Sequence, residues 1–345
     1  MDCKRPDKHY TVNPLKLQTV KNRVKLWLVS MLCVMPLVSC TWVKDDTDDC
    51  PYGFWLKLHY TYNILDVEAA PEYVTDAHVY VYDANGNYVK RINATWNDLK
   101  ANDYRIRVED LAEGDYQFVV WSGMGNSQYS VAGDTQAKDE YRLSLVEEGG
   151  TSAQELPSLF YGSLPTVHYD KSYAVHHIDM MKDTNQLALL AVPVAEDTEV
   201  SVNDFSMKVV TANGIMDARN QIATEAATTY LPFAQEDVTF DDPDYGELHG
   251  AKFGISTLRL MENSDCRIIL EKSSTGETVF NISLPEYIGM IGSLYTNLGR
   301  QLSVQEYLDR QDFYTIVFYL SGDLDQLIQL RVNSWRVRAY NHLKL

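Results

Sequence analysis

Residues 52–62 read YGFWLKLHYTY, with Phe54, Leu56, Leu58, Tyr60 and Tyr62 on one side of the backbone and Lys57, His59 and Thr61 on the other. Alternation of this kind has the two-residue period of a half-buried β-strand, not the 3.6-residue stripe of a helix. The pattern recurs. Residues 77–92, AHVYVYDANGNYVKRI, set two β-rich runs around Asn85-Gly86, a pair that tolerates the positive φ of a tight hairpin turn. Residues 104–108 alternate again, and a turn at Gly114-Asp115 leads into 116–121. Further strands are expected at 174–179, 186–194, 204–211, 251–260, 267–271, 278–284, 314–320 and 328–337. Residues 123–156 are looser and more polar and read as a long excursion between strands. The best helix candidate starts at Ser303-Val-Gln-Glu306, a capping box. Short strands punctuated by turns predict an all-β fold of the sandwich type. No 20–50-residue repeat is present, which excludes a solenoid or propeller. A boundary near Asp183 is expected to separate two sandwich domains in tandem, 50–183 and 184–345.

The start of the chain is of a different kind. Residues 26–38, LWLVSMLCVMPLV, are apolar but shorter than the about 20 residues that a membrane-spanning helix needs. Lys16, Lys21, Arg23 and Lys25 precede them, the basic flank of a secretory signal. The run ends Leu37-Val38-Ser39-Cys40, which looks like the lipobox of bacterial lipoproteins. Cleavage is then expected between Ser39 and Cys40, with acylation of the Cys40 thiol. The alternative is a buried amphipathic helix with Cys40 as a core thiol. Each buried methylene of an acyl chain contributes ~0.8 kcal/mol, so several chains on one cysteine give lasting anchorage. Cys40 is accordingly read as a tether and not a catalyst. Residues 1–39 are the expected lipoprotein signal peptide and 40–49 a short acidic tether.

Charge narrows the partners. The chain carries a formal net charge of −18, and loss of residues 1–39 removes seven basic and two acidic side chains, leaving −23. Such a balance argues against nucleic acid, whose phosphates require Lys and Arg, and against adsorption to anionic lipid. It suits a soluble body held off a negative surface. After cleavage the cysteines are Cys40, Cys50 and Cys266. Two unmodified cysteines make no disulfide framework, and free thiols are expected.

Catalytic and metal constellations are weak. His176-His177, with His168 and Asp179, could supply ligands, but adjacent strand residues point to opposite faces. The loop Asp241-Asp-Pro-Asp-Tyr-Gly-Glu247 is rich in oxygen donors without the spacing of an EF-hand, and reads as a solvated acidic loop. Ser122-Gly-Met-Gly125 is not a nucleophile elbow, and no Gly-x-Ser-x-Gly, His-Glu-x-x-His or P-loop occurs. No enzyme activity, cofactor or metal is expected.

Ordered segments along nearly the whole chain resemble the FimB-type fimbrial anchor subunits of Bacteroidia. These are Asp49-Cys50-Pro51-Tyr-Gly-Phe54, then Tyr60-Thr-Tyr-Asn63, then Val79-Tyr-Val-Tyr-Asp83 with Asn85-Gly86, where Tyr82 stands in place of the usual Phe. Gly114-Asp-Tyr116 through Trp121, Leu159-Phe-Tyr-Gly162 and Lys182-Asp-Thr-Asn185 follow. Leu284-Pro-Glu-Tyr287, Gln305-Glu-Tyr-Leu-Asp-Arg310, residues 314–318 and Val332-Asn-Ser-Trp335 complete the match. The resemblance implies two transthyretin-like sandwiches on an outer-membrane lipoprotein, exposed at the cell surface, that terminates and anchors a fimbrium. It implies pilin subunits as partners, joined by strand addition, in which main-chain hydrogen bonds complete an open sheet. A polymerising pilin loses its first strand to a protease; an anchor would keep it, here residues 54–62. No arginine lies between Cys40 and Arg91, so an arginine-specific protease has no early site. Lys44-Asp45-Asp46 resembles the surface-export signal of Bacteroidia lipoproteins; a merely solvated, self-repelling leash is compatible with it. An accessory or tip subunit is a variant of the same reading. A surface glycan-binding lipoprotein, using Trp55, Trp96 or Trp121 as sugar platforms, is the alternative from another class.

Overall fold

The computed structural model describes residues 53–195, 198–292, 296–297, 300–333 and 335–338. The signal peptide, the cleavage site at Ser39 and Cys40, the tether and Lys44-Asp45-Asp46 lie outside the described residues. The rest is all-β and built as sandwiches, as expected.

Residues up to Lys182 supply β1 (Phe54–His59), β2 (Asp76–Asp83), β3 (Tyr88–Thr95), β4 (Arg105–Val108), β5 (Gly114–Ser122), β6 (Tyr129–Ala132), β7 (Arg142–Leu145), β8 (Thr151–Ser152), β9 (Phe160–Tyr169), β10 (Ala174–Asp179) and β11 (Met181–Lys182). A three-stranded sheet runs β10-β1-β4 and faces a five-stranded sheet, β11-β9-β5-β2-β3. β1 is parallel to β10 and antiparallel to β4. Between the sheets Phe54, Leu56 and Leu58 of β1 pack with Val79, Val81, Phe118 and Val120. The strands β2 and β5 are apolar on both sides because both faces of their sheet are covered. Tyr80 and Trp121, on the second face, meet Tyr141 with ring centroids 5.0 and 6.3 Å apart.

Tyr141 belongs to the segment read as a loose excursion, and here the sequence reading is corrected. Residues 123–156 hold β6, β7 and β8. The remaining strands are β12 (Thr184–Pro193), β13 (Phe205–Thr211), β14 (Ile215–Asp217), β15 (Thr228–Tyr230), β16 (Ala234–Asp242), β17 (Gly246–Leu258), β18 (Arg267–Lys272), β19 (Thr278–Ser283), β20 (Thr296–Asn297), β21 (Arg300–Gln301), β22 (Phe313–Leu320), β23 (Leu327–Val332) and β24 (Trp335–Arg338). β7 pairs with β14, and β8 extends the five-stranded sheet β19-β18-β13-β15-β8. Opposite lies a six-stranded sheet, β16-β17-β12-β22-β23-β24. The excursion thus stitches the strands before Asp183 to those after it, and one apolar cluster runs from Tyr80 and Trp121 through Tyr141 and Leu143 to Leu187, Ile268 and Phe318.

Two further differences have local causes. Residues 328–337 are not one strand: Asn333, at φ 51°, turns the chain between β23 and β24. Its backbone N–H donates to Thr315 O at 2.7 Å and its Oδ1 accepts from Thr315 N at 2.9 Å. The acidic loop at 241–247 is not simply solvated. Asp242 is buried at the tip of the β16–β17 hairpin, where its Oδ2 accepts from the Tyr319 hydroxyl at 2.6 Å and Arg331 Nη1 at 2.7 Å. That clasp folds the hairpin over an apolar patch of Leu190, Val192, Val317 and Tyr319 on the outer face of the sheet. Ser303 does cap the expected helix, Val304–Arg310, accepting from Glu306 N at 3.1 Å.

Candidate assembly interface

β1 occupies the slot between β10 and β4 and is not an edge strand. Its alternation decides this, since Phe54, Leu56 and Leu58 are at most 1% exposed. Fully burying such side chains contributes roughly 1.5–3 kcal/mol each, so about 5–9 kcal/mol favours a filled slot. A strand of this pattern is what fills the slot between β10 and β4.

The C-terminal half of β1 and its exit are fixed by side chains. On its outer face, His59 Nδ1 lies 2.6 Å from Glu68 Oε2 and His59 Nε2 lies 2.7 Å from His177 Nδ1 on β10. Glu68 also accepts from Tyr60 N at 3.0 Å and Ala70 N at 2.9 Å. Burial tends to raise the Glu68 carboxyl, yet these donors hold it below the usual carboxylate value. Lys57 pairs with Asp103 at 2.9 Å. The loop that leaves β1 is closed by Asn63, whose amide donates to Tyr60 O at 2.9 Å and Val67 O at 2.7 Å.

That loop is tied to the far half of the molecule by Arg310. Its Nη1 donates to Asp66 Oδ1 at 2.6 Å and Asn63 O at 3.2 Å, and its Nε to Glu306 Oε1 at 3.0 Å. The guanidinium also lies 4.2 Å from the centre of the Tyr62 ring. Asp309 beside it receives a bidentate pair from Arg259 at 2.8 and 2.9 Å. Arg259 Nη1 continues to Asn220 O at 2.8 Å, and Asn220 Nδ2 to Asp183 Oδ1 at 2.9 Å. Burial pushes the Asp183 carboxyl up to about 7, against the opposing charge of Arg259. Asp183, between β11 and β12, is therefore the end of a polar chain that begins at the exit of β1. The segments Tyr60–Asn63, Lys182–Asn185 and Gln305–Arg310, matched above only as words, meet in this one network. Leu159–Gly162 adds a close approach: a Cβ on Gly162 would come within 2.6 Å of Ile178 Cγ2 and Met180 Sδ.

The other candidates disperse. His168 pairs with Asp115 at 2.8 Å, His176 stacks on Phe54 with centroids 4.5 Å apart, and His177 meets His59. Among the described residues no group of three or more His, Cys, Asp and Glu is placed to hold a metal ion. Trp121 is fully buried and cannot serve as a sugar platform, while the Trp96 ring is covered by Lys100 Nζ at 3.5 Å. Cys266 is a free, buried thiol that desolvation pushes up to about 12. Asp309 and Arg310 carry no local signature beyond their place in the matched block, and Arg259 lies outside every matched segment.

The sequence model of the fimbrillin-A associated anchor proteins Mfa1 and Mfa2 matches residues 47–341. The minor fimbrium anchoring subunit Mfa2 of Porphyromonas gingivalis is 20% identical over 338 residues, 92% of this chain and 96% of that protein. Two solved structures from Bacteroides thetaiotaomicron superpose with a TM-score of 0.74. One, described as a candidate polysaccharide-binding protein, is 26% identical and covers 84% of this chain and 99% of its own. The other, described as a candidate adhesin, is 27% identical and covers 84% and 98%. The fimbrial anchor protein Mfa2 of P. gingivalis shares the fold at a TM-score of 0.63, with 16% identity over 84% of this chain and all of its own. The chain belongs to the family of fimbrillin-A associated anchor proteins.

Proposed function

We propose that this chain is an outer-membrane lipoprotein, acylated on Cys40 after cleavage behind Ser39, that holds a fimbrium to the cell surface and ends its assembly by strand complementation with a pilin subunit. Lys44-Asp45-Asp46 would direct it to the outer face, and the tandem domains would be 50–183 and 184–345. The role is structural and non-enzymatic. The observation that carries this reading is the position of β1. It fills the one slot a donor strand would need in the three-stranded sheet, and its exit loop is clamped by Arg310. With no arginine between Cys40 and Arg91, that strand stays joined to the lipid. A filled acceptor slot stops growth in one direction, leaving the subunit to engage a pilin through another edge. Deleting the gene tests the reading. Fimbriae should appear in the medium or grow long, whereas unchanged length and retention on cells would refute it.

A further inference from the structure

The outer face of the three-stranded sheet departs from the acidity of the rest of the chain. Trp55 and Lys57 of β1 point outward beside Arg107 and Arg105 of β4, their register partners. Residues 88–109 hold Lys90, Arg91, Lys100, Arg105 and Arg107 against Asp98, Asp103 and Glu109, within a chain of net charge −18. The two guanidiniums flank the Trp55 indole, with their carbons 5.7 and 5.8 Å from its centre. Contacts that hold them there are Arg105 Nε to Asn102 O at 3.1 Å and Arg107 Nε to Glu109 Oε1 at 2.7 Å.

Beside this pair opens a cleft of about 320 Å³ between β3 and β4, lined by Trp55, Asn93, Asp98, Asn102, Arg105 and Arg107 among others. That volume lies in the range of small-ligand clefts, about 300–1,000 Å³. Asp98 keeps its negative charge, its Oδ2 accepting from Thr95 N at 2.9 Å and Thr95 Oγ1 at 2.7 Å in a helix cap, so the lining sets two guanidiniums against one carboxylate. Each lining group has a chemical preference. Guanidinium forks match carboxylates. Side-chain amides both donate and accept, as vicinal hydroxyls require. An indole presents an apolar surface to the C–H face of a sugar ring. An acidic peptide would use the first preference but not the other two, and it would be read chiefly through main-chain bonds along an edge.

We infer that the cleft between β3 and β4 is a binding site for carboxylated saccharides, uronic-acid units of an anionic glycan. The site is separate from the clamp at Arg310 and does not depend on the anchoring role. Like-signed charges in a cleft concentrate the field, so a ligand bearing several carboxylates gains most and salt weakens it.

The test uses the full-length lipoprotein in detergent and polygalacturonate as probe, with its fully methyl-esterified form as the uncharged counterpart. Binding is expected for the free acid and at least tenfold weaker for the ester. Arg105→Gln and Trp55→Ala should each weaken it at least tenfold, while Lys252→Gln on β17 leaves it unchanged. Arg105→Gln alters a partly exposed side chain and keeps the test valid if the tryptophan variant does not fold. No binding to polygalacturonate, equal binding to the ester, or undiminished binding by Arg105→Gln would overturn the proposal. So would equal affinity for poly-glutamate, since charge alone would then be read.

Discussion

Replacing Arg310 by alanine should loosen β1 without touching it. Arg310 is 6% exposed, and its guanidinium makes charge-assisted bonds to Asp66 and Glu306, a bond to the Asn63 carbonyl and a cation–π contact with Tyr62. A hydrogen bond to a charged group contributes roughly 1.5–3 kcal/mol net, and a desolvated cation–π contact about 2 kcal/mol at most. Asp66 and Glu306 retain 21% and 24% of their side-chain exposure and can rehydrate, which discounts the sum. A loss of about 2–4 kcal/mol remains. If that loss falls on the local opening of β1 and its loop, amide exchange there should accelerate roughly 30- to 700-fold, at a factor of ten per 1.4 kcal/mol. Hydrogen exchange read by mass spectrometry over residues 54–68 measures it, with residues 205–211 of β13 as the internal reference. Arg310→Lys should recover little, because an ammonium cannot reproduce the fork. Acceleration below threefold in 54–68, or equal acceleration in β13, would refute the clamp.

Two further perturbations follow from the same network. Burial raises the Asp183 carboxyl in the folded state to about 7, above the ordinary 3.8 of an aspartate. Its contribution to stability is therefore fully present below about 3.8 and lost as pH rises to 7. Asp183→Asn should gain on the wild type over that interval and hold a constant difference above it; a pH-independent difference in urea midpoint would exclude the mechanism. Gly162→Ala places a methyl against Ile178 and Met180 and should cost about 1–3 kcal/mol in urea denaturation, whereas an unchanged midpoint would mean that the layers separate easily.

Which parts of the molecule were legible follows from where the information resides. β1 is readable because period-two alternation is local, and β22 because a continuous apolar run of strand length reads as a fully buried strand. The segment 141–145, YRLSL, alternates too, with Tyr141, Leu143 and Leu145 buried. It is hard to read because β7 and its hairpin partner β6 have only four residues each within a polar stretch, and its second partner β14 lies some seventy positions away. Asn333 carried a signal, since asparagine tolerates positive φ, but the apolar residues on either side masked the turn. Asp242 looked solvated in a run of acids, as nothing local announces that Tyr319 and Arg331 will reach it. The clamp was the least legible element. Asp183, Arg259, Asp309 and Arg310 become neighbours only once the sheets have packed, and a single charged residue in sequence carries no mark of its partner.

The most direct test of the anchoring account is Cys40→Ala in cells that make the fimbrium. Electron microscopy and fractionation should find intact fimbriae in the medium with this chain still attached at one end, because assembly is retained and only the lipid is lost. Fimbriae that stay on the cells, with the variant still in the membrane fraction, would contradict it.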